Sequence, residues 1–245
     1  MRRPLPIPAA FLALTVAACG SSEPEPDPTP TPEPVVAGPR ALIPAGLAEL
    51  KLGPKIEGPQ GTEVEDIPMF EGRELYRIES YVACPGADPD VSGEDNGAAP
   101  AATPIDDGVC DPATRPAGTI YTYVHQVTPL EGSDGPATAF RMTAPATGFD
   151  NTVGFDRAQA EAALGEGYTV DIEIENRRLV WRIEKSDGWN AGETMTFFWR
   201  STLPPEGPGE GYCLDTAEGC ADATGPLPPR REPEPEPEAE TPPAT

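Results

Sequence analysis

Residues 168–184 carry the clearest alternation in the chain. Val170, Ile172 and Ile174 fall on one side, and Asp171, Glu173 and Glu175 on the other. A second run puts Leu179, Trp181 and Ile183 on one face. A period of two is the signature of a half-buried strand. Joined through a two-residue turn at Asn176-Arg177, the runs predict one register. Ile174 faces Leu179, Ile172 faces Trp181 and Val170 faces Ile183. On the other face Glu175 meets Arg178 and Asp171 meets Arg182. Apolar pairs and opposite charges agree, which is how cross-strand pairing selects a register. Asn176 tolerates the positive φ that such a turn requires.

Further strands are predicted over 74–82, 119–127, 137–142 and 193–202, with weaker signals over 47–52 and 62–67. One helix of about two turns is predicted from Asp156 to Leu164. Asp156 caps it, Gln159 stands three residues on, as in a capping box, and Gly165 ends it. Six to eight short strands between Gly- and Pro-rich turns predict a mainly β fold, a single antiparallel β-sandwich with one short helix.

The 34 prolines are concentrated at the ends. Glu23-Pro24-Glu25-Pro26-Asp27-Pro28 heads one low-complexity run, and Glu232-Pro233-Glu234-Pro235-Glu236-Pro237 forms the heart of another. Neither can bury enough apolar surface to offset chain entropy, so both are expected to be disordered. Proline and charge repulsion favour extended chain there. The expected organisation is a leader at 1–18, a stalk at 19–37, a folded domain at 38–227 and an acidic tail at 228–245.

Charge narrows the partners. The chain holds 41 acidic residues against 17 basic ones, a formal net charge of −24. Such a field repels phosphate backbones, so no nucleic-acid partner is expected.

At the amino end, Arg2 and Arg3 precede an apolar run through Phe11, Leu12, Leu14 and Val16, which closes on Val16-Ala17-Ala18-Cys19. This has the layout of a secretory signal with small residues before the cleavage point. It is too short for a span, which needs about 20 apolar residues. It resembles the bacterial lipoprotein signal, whose lipobox ends in the acylated cysteine. The resemblance implies lipidation at Cys19, a membrane partner through that lipid, and residence in the bacterial cell envelope. Gly20 stands where an aspartate marks inner-membrane retention in the enteric pattern, which favours the outer membrane.

Leu179-Val180-Trp181, followed by Gly192-Glu193-Thr194-Met195-Thr196-Phe197, resembles the end of bacterial immunoglobulin-like surface repeats. The match covers about 30 residues. It implies an Ig-like sandwich with a role in surface display, and it carries no catalytic residue.

Besides Cys19, the cysteines are Cys84, Cys110, Cys213 and Cys220. An even set in an oxidising compartment reads as two disulfides. Three pairings are open, and proximity favours Cys84–Cys110 with Cys213–Cys220. Zinc is the alternative, disfavoured by a single histidine and no Cys-x-x-Cys. The loop between Cys84 and Cys110 contains Asp88, Asp90, Ser92, Glu94 and Asn96. Asp88, Asp90, Ser92 and Gly93 fit positions 1, 3, 5 and 6 of a calcium-loop template, but Ala99 occupies position 12, where a bidentate glutamate belongs. A plain disulfide-bounded loop is the favoured reading.

Nucleophilic catalysis would have to use His125, the only histidine, on the same strand face as Tyr121 and Tyr123. No Gly-x-Ser-x-Gly elbow and no phosphate-cradling glycine loop occur. Tyr121, Tyr123, His125 and Trp189 form a candidate contact surface, although the favoured reading is a packed or half-exposed strand residue for His125 and a side chain folded back over the sandwich end for Trp189. The expected function is a membrane-anchored envelope lipoprotein, a non-enzymatic binding, assembly or structural module with no cofactor. Its further partner is an envelope protein or the cell wall. A calcium-dependent binding module and a carboxylate-based envelope hydrolase are the alternatives.

Overall fold

A computed structural model describes residues 41–61, 63–86 and 109–230. The leader, Cys19, the stalk, the calcium-template residues Asp88, Asp90, Ser92, Glu94 and Asn96, and the acidic tail beyond Arg230 lie outside the described residues.

The chain opens with β1 (Ile43–Gly46), β2 (Leu52–Lys55), β3 (Val64–Asp66), and a small hairpin of β4 (Met69–Phe70) and β5 (Arg73–Glu74). The long strands β6 (Tyr76–Pro85) and β7 (Tyr121–Pro129) follow, then β8 (Ala139–Met142) and β9 (Phe149–Phe155). After the helix α1 (Arg157–Leu164) come β10 (Thr169–Glu175), β11 (Arg178–Lys185), β12 (Met195–Ser201), β13 (Gly207–Thr216) and β14 (Gly219–Leu227).

Two sheets form a β-sandwich. The larger runs β1-β9-β12-β7-β6-β2, with β3 also paired to β6; the smaller runs β10-β11-β8-β13-β14. The β10–β11 register is the one the sequence predicts: Val170 opposite Ile183, Ile172 opposite Trp181, Ile174 opposite Leu179, Glu175 opposite Arg178 and Asp171 opposite Arg182. Asn176 and Arg177 both take positive φ, 50° and 65°. The helix is also as predicted, with the Asp156 carboxylate accepting from the N–H groups of Ala158 and Gln159. The reciprocal half of a capping box is not made: the Asp156 N–H donates to Thr196 O at 2.8 Å, and Gln159 Oε1 is buried without a partner.

Two expectations need correction. The segment 47–52 is not a strand. Glu49 turns back to accept the N–H of Gly46 at 3.0 Å and pairs with Arg157 at 2.9 Å, which closes a 3-10 turn at Leu47–Glu49. The sandwich is not purely antiparallel, since β1 lies parallel to β9.

Between the sheets the core is aromatic. Phe197 meets Phe140 at 4.8 Å and Trp181 at 5.6 Å between ring centroids, and Tyr123 stacks on Trp199 at 4.4 Å. Each such side chain contributes about 1.5–3 kcal/mol by burial. The sheets are also stitched by polar contacts. Tyr76 donates to Ala221 O at 2.6 Å, Thr224 N–H donates to Asp66 at 2.7 Å, and the Trp181 indole donates to Gly154 O at 3.1 Å.

Candidate functional site

Of the expected contact surface, nothing is at the surface. Tyr121 is 3% exposed, and Tyr123, His125 and Trp189 are fully buried. The expectation fails because the strand face shared by Tyr123 and His125 points between the sheets. Trp189 folds inward as well. Its carbonyl accepts from Ala137 N–H, and its indole donates to Glu193 O at 2.7 Å.

His125 is the hub of a buried polar cluster on adjoining strands. Register places Ser80 of β6 directly opposite it. Ser80 Oγ lies 2.9 Å from Nδ1, and the Trp199 indole N–H reaches Nε2 at 3.3 Å. Tyr212 of β13 packs on the ring from the opposite sheet at 4.1 Å, while its hydroxyl donates to Pro226 O at 2.7 Å. Phe140 flanks the ring at 5.8 Å. Burial pushes the His125 pKa down to about 3 and the Tyr212 pKa up.

The hydrogen bonds fix the tautomer. An indole N–H is a donor only, so Nε2 must accept, and the single proton of a neutral imidazole sits on Nδ1. Nδ1–H therefore donates to Ser80. A histidine activating a serine needs a free lone pair facing the hydroxyl. Here that position carries the proton, and both residues are sealed from solvent. The Ser80–His125 pair is a packing device. The sequence could not show it, because Ser80 is 45 residues from His125 and Trp199 a further 74.

The cysteines pair as proximity suggests. Cys84–Cys110 and Cys213–Cys220 have Cα separations of 5.9 and 5.6 Å, inside the normal range for a disulfide. Cys84 and Cys110 are buried, and Cys110 sits beside Ile56, which bonds to the Val82 carbonyl of β6. This bridge holds both ends of the loop at 84–110 on the large sheet. Cys213 and Cys220 lie diagonally across the β13–β14 hairpin, on the outer face of the small sheet. Asp215 approaches both, but sulfurs joined to each other are not metal ligands.

A cleft of about 340 Å³ opens between Gly207–Gly209 and Leu227–Arg230. Among the described residues, Glu206 and Arg230 are the charged side chains lining it, and its walls are otherwise glycine, proline and leucine. No protein family, no curated protein and no solved structure matches this chain.

Proposed function

We propose that this is a lipid-anchored envelope protein whose β-sandwich acts as a non-enzymatic binding, assembly or structural module. One observation carries the non-enzymatic part. The side chains best suited to chemistry, His125 and Ser80, are spent on each other inside the core, with the imidazole proton on the wrong nitrogen for base catalysis. The anchor is supported by the run ending at Cys19 and by two disulfides, which persist in oxidising compartments. The acidic, proline-rich segments on either side of the domain suit spacers and solubilising ends.

Labelled palmitate fed to cells making the wild type or Cys19→Ser tests the anchor. Label in the wild type alone, with the variant released from the membrane fraction, is the expected result. Equal labelling, or none in either, overturns it.

A further inference from the structure

The two disulfides differ in loop length and in the access to one sulfur, although Cys213 is as buried as Cys84. Cys84 and Cys110 are 0% and 2% exposed, and their bridge spans 26 residues. Cys220 is exposed, and its bridge spans 7 residues. Its hairpin is already closed by β13–β14 pairing from Gly207–Leu227 to Thr216–Gly219. A link across a short, preformed loop removes little chain entropy. Opening it leaves the ladder in place.

Charges of both signs flank the bridge. Register sets Arg141 of β8 directly beside Cys213 and Asp215 beside Cys220, and the Asp215 carboxylate also lies 3.6 Å from Cys213 Sγ. Arg141 pairs through Nη2 with Asp215, yet its Nε–H is buried without any partner. A cation with a spare donor next to a sulfur stabilises its thiolate. Asp222 lies beside Cys213 on the other side, but it is exposed and solvent-screened. Access therefore sets the direction: attack falls on exposed Cys220, and buried Cys213 leaves beside Arg141, whose charge works against the nearby Asp215 carboxylate. Leaving-group acidity and access are two of the factors that set exchange rates.

We propose that Cys213–Cys220 is a thiol-exchange site that takes electrons from a dithiol partner. A partner thiolate attacks Cys220 Sγ. The Cys213–Cys220 bond breaks as the partner–Cys220 bond forms, and the electron pair leaves on Cys213 beside Arg141. The partner's second thiolate then attacks its own sulfur in that mixed disulfide and releases Cys220. The partner ends as a disulfide, and Cys213 and Cys220 end as thiols. The proposal stands on the two bridges and their neighbours, and does not depend on the lipid anchor.

Graded dithiothreitol under native conditions, an N-ethylmaleimide quench and peptide mass spectrometry test it on the full chain. Cys213 and Cys220 are expected to be alkylated at least tenfold faster than Cys84 and Cys110, with the near-UV circular dichroism of the core retained. Simultaneous labelling of all four cysteines, or earlier labelling of Cys84 and Cys110, overturns the proposal. Glutathione, a monothiol, reads the direction: its adduct is expected on Cys220, and an adduct mainly on Cys213 refutes the assigned leaving group. Arg141→Gln should slow adduct formation several-fold while Arg141→Lys restores it. Equal rates in the wild type and both variants remove Arg141 from the mechanism and overturn that assignment.

Discussion

The β10–β11 and β13–β14 hairpins occupy opposite edges of the five-stranded sheet, and they are specified by different means. In β10–β11 the pattern of side chains is sufficient. On the inner face apolar residues pair with apolar residues; on the outer face Val180 stands opposite Glu173, and Arg182 bridges Glu175 at 3.0 Å and Glu173 at 3.6 Å. No covalent tie is present between its strands. In β13–β14 the pattern is broken by Gly207, Pro208, Gly209, Gly211, Gly225 and Pro226, and the register shifts between Glu210 and Tyr212. Register there is held by one ring, and the disulfide lies across a ladder that is already closed. Tyr212 lies so close to Gly225 that an added Cβ would come within 2.8 Å of the ring. Where alternation is clean, local pairing selects the register; where glycine and proline blur it, the selection passes to long-range contacts.

The largest test of this contrast is Tyr212→Ala. Removing the ring opens space against His125 and Phe140 and frees the Pro226 carbonyl, at a cost of about 4 kcal/mol in urea unfolding. A loss below about 1 kcal/mol would mean that the ring is not what holds β13–β14.

Next in size is an acid effect on the same contact. The folded-state pKa of His125 is depressed by burial to about 3, against about 6.5 in the unfolded chain. Its contribution is fully present above pH 6.5. It is lost as pH falls towards 3, because only the unfolded state takes up the proton in that window. The expected slope is about 1.4 kcal/mol per pH unit. Since the chain has one histidine, the slope between pH 6.5 and 5 isolates it. Glu218 stays out of that range: burial pushes its pKa up, but hydrogen bonds from the backbone N–H of Asp134 and its own outweigh this and bring it to about 2. Stability measured against pH in the wild type and in His125→Gln checks the claim, and a persistent slope in the variant contradicts it.

The smallest effect sharpens the β10–β11 side. Arg177 occupies a left-handed turn position that glycine fills without strain, and its carbonyl accepts from Ala146 N–H at 2.8 Å. Arg177→Gly keeps that bond and relieves the backbone, offset in part by the flexibility of glycine in the unfolded chain. A gain of about 0.5 kcal/mol in thermal or urea unfolding is expected. A loss would show that the arginine side chain itself supports the turn.

Legibility in the sequence followed the same division. The 168–184 hairpin could be read to the residue pair, and the helix to its cap, because both are governed by neighbours in the chain. The strands β6, β7, β8 and β12 were visible as apolar, β-branched runs. β9 was missed because Asn151 takes a φ of 79° and Gly154 interrupts its pattern. That glycine answers to a distant segment, since an added Cβ would overlap the Ala45 carbonyl of β1. β13 and β14 were hidden by their glycines and prolines. The contact surface was misplaced for a related reason. Alternation shows that Tyr123 and His125 share a side, but not which side a second sheet covers. The pairing of Ser80, His125 and Trp199 depends on the strand order, which no local pattern encodes.

The parallel strand β1 has a mechanical meaning. Any tension arriving from upstream of Ile43 reaches β1 before any other part of the sandwich. Its ladder is four residues long, from Ile43 opposite Thr152 to Gly46 opposite Phe155. A pull along the strand axis loads those hydrogen bonds in shear, together rather than one by one. Behind them the sheet from β9 to β6 does not depend on β1 for its own pairing. A load large enough to break that ladder therefore breaks it as one unit and takes β1 alone, while the pairing from β9 to β6 stays closed.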